Sequence, residues 1–238
     1  MIPCMDWNQR CAVIIPCFNE ALHLGRVVEK ARQHLATVIV VDDGSTDATV
    51  ETARRSGAMV LSLPKNSGKG IALRHGWQQA RQLGCNWALM LDGDGQHDAQ
   101  EIPNFFKQAE QSGAALIVGN RMQNPEAMPV IRRWVNRWMS RRISHLTGAE
   151  LPDSQCGFRL ARLDTLLALS LHGNRFEIES AMLTSFLAAG EKVEFVPVRC
   201  IYEREASKIN PLTDTFRWLR WRLTQRAALR ACSTIRVP

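Results

Sequence analysis

What most constrains this chain is an alternation that runs through its first half. Short apolar runs at residues 12–15, 38–41, 59–63, 87–91 and 116–118 are separated by segments of helical patterning. The runs are continuously apolar rather than apolar at every second residue, so each predicts a strand buried on both faces. Such strands with helices between them predict a βαβαβαβαβ order and an α/β fold, with a mostly parallel central sheet and helices on both faces. In sheets of this kind ligands bind beyond the carboxyl ends of the strands. The polar signatures fall there: P-C-F-N-E follows the first run, D-D-G-S-T-D the second, P-K-N-S-G-K-G the third and D-G-D-G-Q-H-D the fourth. The strand ends are therefore expected to converge on one crevice.

The second half reads as more helical and more basic. Ile131, Trp134, Val135, Trp138, Met139, Ile143 and Leu146 recur at helical spacing while Arg133, Arg137 and Arg141 line another face, which predicts an amphipathic basic helix. A loop follows Gly148, then L-P-D-S-Q-C-G-F-R, a helix near 178–189, a strand at 193–198 and a C-terminal helix over about 213–231. The formal net charge of the chain is +7, but residues 1–120 hold 11 Lys and Arg against 12 Asp and Glu, whereas residues 121–238 hold 19 against 11. Arginines 132, 133, 137, 141 and 142 form one acid-free cluster, and arginines 217, 220, 222, 226, 230 and 236 form another. A polyanionic partner is expected on this half.

A chain of 238 residues with 45% hydrophobic composition fits one large α/β domain. Its apolar runs fall well short of the roughly 18 to 20 residues that span a bilayer, so no transmembrane helix is expected. The start, M-I-P-C-M-D-W, lacks the features of a signal peptide, which predicts a cytoplasmic address. Seven cysteines without a C-x-x-C pair read as reduced, mostly buried thiols.

Chemistry concentrates at the strand ends. Asp92 and Asp94 flank one glycine, and two carboxylates on such a turn can reach one hard cation shared with substrate phosphates. Alone, D-x-D also reads as a solvated acidic turn; its place at a strand end beside other polar strand ends favours the functional reading. Asp42 and Asp43 exceed what helix capping needs, since Ser45 or Thr46 suffices for the cap, and a strand-end carboxylate can hold a ribose or a base. N-S-G-K-G is a cationic turn suited to placing backbone N–H groups and Lys69 near phosphate, although it lacks the Walker A spacing. A Rossmann dehydrogenase is excluded, because P-C-F-N-E stands where G-x-G-x-x-G belongs.

Together with F-E-I-E and Y-E-R-E-A-S-K-I, these motifs in this order resemble the family 2 glycosyltransferases of the dolichyl- or polyprenyl-phosphate sugar synthase type, over roughly residues 11–215. The resemblance implies the GT-A nucleotide-diphospho-sugar transferase fold, here assigned to residues 1–210, with residues 211–238 as a basic amphipathic helix. It implies that Pro16, Asn19, Glu20, Asp42 and Asp43 surround the nucleoside of a nucleoside diphosphate sugar, that Asp92 contacts the donor, and that Asp94 with Gln96 holds Mg2+ or Mn2+. Arg121, Arg132, Arg204 and Lys208 match the family's groups for donor and acceptor phosphates.

Many relatives carry C-terminal transmembrane helices, and in this sequence no such helix is expected after the Arg- and Trp-rich segment. F-E-I-E replaces E-T-E or similar, which leaves Glu177 and Glu179 open between a catalytic role and the polar face of a helix. The implied reaction inverts the anomeric centre. A phosphate acceptor needs no strong base, whereas a hydroxyl acceptor needs a carboxylate, for which Asp153 is the candidate if it does not instead position the acceptor.

The basic helices carry Trp134, Trp138, Trp218 and Trp221, which suits a peripheral site at the inner face of an anionic membrane and a lipid-linked acceptor. Core packing of these aromatics is the other reading. A nucleic-acid partner is disfavoured because it leaves the acidic strand ends without a use. Transfer to a hydroxyl acceptor, or a non-enzymatic scaffold that binds nucleotide sugar, remain the alternatives.

Overall fold

The computed structural model describes residues 6–201, apart from 124, 126, 127 and 172. The chain enters through a short helix α1 (Trp7–Arg10) and β1 (Cys11–Cys17), followed by α2 (Ala21–Arg32), β2 (Val38–Asp42), α3 (Thr49–Arg55), β3 (Met59–Ser62), α4 (Lys69–Gln82) and β4 (Trp87–Met90). It continues through α5 (Ile102–Ser112), β5 (Leu116–Asn120), α6 (Val130–Thr147), β6 (Arg159–Arg162), α7 (Leu163–Ala168), α8 (Glu177–Ala188) and β7 (Val193–Pro197). Strand, helix and strand alternate through the first half as the apolar runs predict, and the described cysteines 11, 17, 85, 156 and 200 are buried free thiols. The expected C-terminal helix lies outside the described residues.

One seven-stranded sheet runs in the order β3-β2-β1-β4-β6-β5-β7. β1 pairs in parallel with β2 on one side and β4 on the other, and β2 pairs in parallel with β3. Successive connections step outward from β1 to β2 to β3 and then return past β1 to β4. Right-handed crossovers therefore put α2 and α3 on one face and α4 on the other. On its face α4 packs so closely that a side chain on Gly76 would collide with Ile14 Cγ2. The consequence for function is a switch point between β1 and β4, where the connections diverge and the strand ends open a crevice.

The sheet differs from the expected run of parallel strands at one place. β6, which begins at the last residue of L-P-D-S-Q-C-G-F-R and is not expected as a strand, is wedged antiparallel between β4 and β5. Arginines bound its four residues, R-L-A-R, so no apolar run announces it; Leu160 and Ala161 nevertheless fill the core and Arg159 is buried as well.

The amphipathic helix forms as α6, with its burial divided along its length. Its inward face is Asn136, Met139, Ser140 and Ile143, while Ile131 and Trp134 are exposed. Hydrogen bonds explain the rotation. Asn136 Nδ2 donates to Asp153, and Ser140 Oγ lies 3.1 Å from Ser154 Oγ, so two polar residues are drawn inward and the first-turn apolar residues turn outward. Trp138 is half-buried against the core, with the Arg142 guanidinium 5.3 Å from its ring.

Candidate active site

At the switch point the turn after β4 comes very close to the end of β1. A side chain on Gly93 would lie 2.7 Å from Cys17 Sγ, so glycine is required between Asp92 and Asp94 for this approach. The neighbouring strand-end loops are sewn together by hydrogen bonds from one motif to the next. Asn19, which adopts a left-handed backbone with φ 55°, donates its N–H to Ser45 Oγ and accepts from Thr46 N through Oδ1. Glu20 N donates to Thr49 Oγ1. Ser45 thus bonds the neighbouring loop instead of capping α3, and Asp47, through Oδ1, accepts from Thr49 N at the helix start.

Asp42 and Asp43 have separate tasks. Asp42 accepts from Ser45 N within its own turn, whereas both oxygens of Asp43 accept from the next loop, at Ser67 N and Gly68 N, each at 2.7 Å. Asp43 thereby fixes the backbone that launches α4. Lys69, the first residue of that helix, is not an isolated loop cation. Its ammonium lies 2.6 Å from both Asp92 Oδ1 and Glu179 Oε1. Burial opposes the charge, yet Asp92 and then Glu179 hold the ammonium well above the ordinary lysine range.

The two carboxylates of the turn are driven apart. Burial favours the neutral form of Asp92, but Lys69 and then His97 outweigh it and keep Asp92 below the usual carboxylate range. On Asp94 the charge of Lys69 acts only weakly, and burial followed by the charge of Asp92, with Glu20 adding to it, raises it to about 6. Gln96 N donates to Asp94 Oδ1 and turns the loop back on itself. A raised carboxylate beside an ionised one fits a site that takes up a cation. Among the described residues no group of three or more His, Cys, Asp or Glu side chains forms a closed metal cage. The donor set that fits is therefore the open kind, one or two carboxylates and an amide oxygen completed by substrate phosphates, as Mg2+ prefers.

Across the crevice, Arg121, in the turn after β5, forms a two-pronged pair with Asp153 through Nε at 2.8 Å and Nη2 at 3.0 Å. Asp153 is fully buried and also accepts from Arg121 N, Asn136 Nδ2 and Gln155 N. Burial would raise its pKa, but Arg121 above all lowers it to about 2. A carboxylate so saturated and so acidic does not suit general-base work, and its geometry makes it the anchor of Arg121. Arg132 stands half-buried in the first turn of α6. Pro16 lies half-buried in β1 and Glu20 stands at the N-cap position of α2, both at the crevice end of the sheet. Arg204 and Lys208 lie outside the described residues. The last described residues lie beside the D-x-D turn, where Cys200 pairs with His97 in an isolated β-bridge and Ile201 N donates to Gln96 O at 2.8 Å.

Sequence reasoning gave no role to Arg159, Asn136 and Gly157 and left Glu179 open. The buried guanidinium of Arg159 donates to three carbonyls, Cys156 O, Ser154 O and Glu179 O, and so ties the loop after Asp153 to the first turn of α8. Gly157 faces Asp92 so closely that a side chain would sit 2.5 Å from Asp92 Oδ2. The signal available in the sequence was D-S-Q-C-G-F-R itself, whose polar letters cluster without a turn to explain them.

This sheet order, with an acidic D-x-D turn at the switch point and basic groups opposite, defines the GT-A class of sugar transferase. Residues 12–167 match the family described as glycosyl transferase family 2, and the chain belongs to that family. It is 30% identical over 207 residues to the glycosyltransferase AglJ of Haloferax volcanii, covering 85% of this chain and 67% of that one. It is 28% identical over 215 residues to the UDP-N-acetylglucosamine–dolichyl-phosphate N-acetylglucosaminyltransferase of Methanococcus voltae, covering 80% of this chain and 85% of the relative. Among solved structures it superposes on the glucosyl-3-phosphoglycerate synthase of Mycobacterium tuberculosis in complex with Mn2+, uridine diphosphate and phosphoglyceric acid. That match has a TM-score of 0.65 at 20% identity, over 93% of this chain and 77% of the other.

Proposed function

We propose that the chain is an inverting glycosyltransferase that moves a sugar from a nucleoside diphosphate sugar to a polyprenyl phosphate or another lipid-linked acceptor at the inner face of a membrane, with Mg2+ or Mn2+ held by Asp94 and Gln96. The observation that carries this reading is the placing of Asp92 and Asp94 on one tight turn at the switch point, with Lys69 2.6 Å from Asp92 and the Arg121–Asp153 pair across the crevice. A divalent cation there neutralises charge developing on the leaving diphosphate. The bound metal and uridine diphosphate of the mycobacterial enzyme and the dolichyl phosphate of the archaeal relative support the same reading.

The chain's own residues divide the work. Pro16, Asn19, Glu20, Asp42 and Asp43 form the nucleoside end, and Asp92 meets the donor. Arg121 and Arg132 face the phosphates, with Arg204 and Lys208 joining them from the segment that follows Ile201. Attack from the face opposite the leaving group inverts the anomeric carbon. A phosphate acceptor is ionised near neutral pH and needs no base, which agrees with an Asp153 committed to holding Arg121. The outward apolar residues of α6, Val130, Ile131 and Trp134, beside exposed Arg137, suit a lipid surface. No described helix is long and apolar enough to cross a membrane.

The test is turnover by the full chain with UDP- and GDP-sugars and Mn2+, comparing a polyprenyl phosphate with the polyprenol of equal length, with products read by mass spectrometry. Glycosylated phosphate lipid is expected, and it should vanish with EDTA. Product from the alcohol alone would reject the phosphate acceptor, and binding of nucleotide sugar without turnover on any acceptor would point to the scaffold.

A further inference from the structure

Three side chains from separate parts of the chain meet on one side of the crevice. Asp92 comes from the end of β4, Lys69 from the start of α4, and Glu179 from the first turn of α8. We propose that Glu179 is a positioning residue for the donor's sugar: acting through Lys69, it fixes the Asp92 carboxylate in the orientation that receives the sugar. This inference rests on the reading of the crevice as a nucleotide-sugar site.

Geometry supports it from both sides of Asp92. Oδ1 is held by the Lys69 ammonium at 2.6 Å, and Oδ2 abuts Gly157, where even a Cβ would lie 2.5 Å away. That Cβ would also lie 2.9 Å from Lys69 Nζ, so the absent side chain is what lets the loop close on the ion pair. The carboxylate therefore has little freedom to swing. Lys69 is fixed in turn by Glu179 Oε1 at 2.6 Å, and α8 is held by the Arg159 bond to Glu179 O.

The other glutamate of F-E-I-E behaves differently. Glu177 accepts from Arg175 N at the start of its own helix, a local task. Glu179 is 5% exposed, and its Oε2 is buried without a hydrogen-bond partner. Buried ion pairs kept for stability satisfy their remaining lone pairs, because an unmet carboxylate oxygen is costly. Here the cost is tolerated while Oε1 makes a short contact to the lysine that bridges to Asp92. The site retains this carboxylate for the lysine it fixes and not for its packing.

The position of the triad sets what it acts on. The nucleoside end is built by the loops after β1 and β2, and the metal turn is Asp94 and Gln96. Glu179 is paired with Lys69, which contacts Asp92 directly and Asp94 only through a weaker charge effect, so its loss should be felt mainly through Asp92.

The experiment measures dissociation constants by calorimetry with Mn2+, for UDP or GDP, whichever the full chain binds, and for the matching sugar nucleotides, UDP-glucose, UDP-N-acetylglucosamine and GDP-mannose. For Glu179→Gln the free diphosphate should bind within about twofold of the unaltered chain. The tightest sugar nucleotide should weaken about 10- to 100-fold, the range for removing a group that orients an active-site ligand. Lys69→Met should give the same sugar-selective loss, and the double variant should cost no more than Lys69→Met alone. Equal weakening of diphosphate and sugar nucleotide, or no weakening of either in a folded variant, overturns the proposal. If Glu179→Gln does not fold, Lys69→Met decides the matter by the same ratio. If the unaltered chain binds neither UDP nor GDP, the nucleotide-sugar reading itself fails, a result distinct from any variant effect.

Discussion

The two walls of the crevice are built on different physics. On the side of β1 to β4, polar side chains hold backbone: Asp43 grips Ser67 N and Gly68 N, Asn19 grips Thr46 N, and Asp94 turns onto Gln96 N. On the side of β6, α6 and α8, charged side chains hold one another or buried carbonyls, as Arg121 does Asp153 and Arg159 does Ser154 and Glu179. The first wall is assembled from neighbouring strand ends and leaves Asp94 raised beside an ionised Asp92. The second is a lattice of buried charged side chains. Substitutions in the first wall should therefore cost activity at little cost in stability, and those in the second should cost stability first.

The largest effect is expected in the first wall. Asp94→Asn keeps the size and turn of the residue but removes the charge that a cation needs. Turnover should fall on the order of 10^2- to 10^3-fold or more, comparable with deleting a key electrostatic group from an active site. Because Asp94 is raised to about 6 by burial and by Asp92, neutralising it removes a repulsion, and the melting temperature should hold or rise slightly. Metal titrations of rate and calorimetric melts check both halves; a variant that loses stability in step with activity would erase the contrast between the walls.

The second wall should give the opposite pattern. Asp153→Asn leaves the Arg121 guanidinium buried without its counter-charge, and breaking such pairs costs about 3–5 kcal/mol, which lowers the melting point of a domain this size by roughly 10 °C. The acid limb provides a second measure. The folded pKa of Asp153, lowered to about 2, lies below the unfolded value near 3.9, so its contribution is fully present above about pH 4. It fades as the pH falls toward 2, and its size is on the order of 2–3 kcal/mol. Denaturant midpoints between pH 5 and 2 should therefore fall less steeply in Asp153→Asn than in the unaltered chain. Equal slopes would mean that Asp153 is not the ionised anchor described here.

The same contrast explains what could be read in advance. Strand ends of the first wall announce themselves because continuous apolar runs stop at Pro16, Asp42 and Asp92, and the convergence of those ends follows from sheet topology alone. The place of the D-x-D turn at a strand end was legible for the same reason. β6 was not, since R-L-A-R carries arginines at both ends and depends on β4 and β5 to bury its two middle residues. Asp153 was legible as a functional carboxylate but its partners were not, because Arg121 is 32 residues away and Asn136 is 17 residues away on another element. Lys69 shows the limit most clearly: glycines on either side read as a flexible phosphate loop, yet the ammonium sits between two carboxylates that sequence spacing does not connect.

The smallest effect on the fold is expected at the outer edge of the second wall. Trp134 is 68% exposed, beside Val130 and Ile131, which are as open. These residues escape the core because Asn136 and Ser140 turn inward to the Asp153 loop, so the buried lattice determines what α6 offers to its surroundings. Trp134→Gln removes no buried contact, and surface changes of this kind stay within about 0.5 kcal/mol, so melting and turnover on a detergent-dispersed acceptor should not change. If this face meets a membrane, co-sedimentation with vesicles containing anionic lipid should drop, since tryptophan favours the interface while Arg137 and Arg141 supply charge attraction that salt weakens. Salt should therefore reduce binding of both chains, and the variant should bind less than the unaltered chain at every ionic strength. Identical sedimentation of the two chains would assign the exposed face of α6 no part in lipid contact and leave the basic segment beyond Ile201 to carry it.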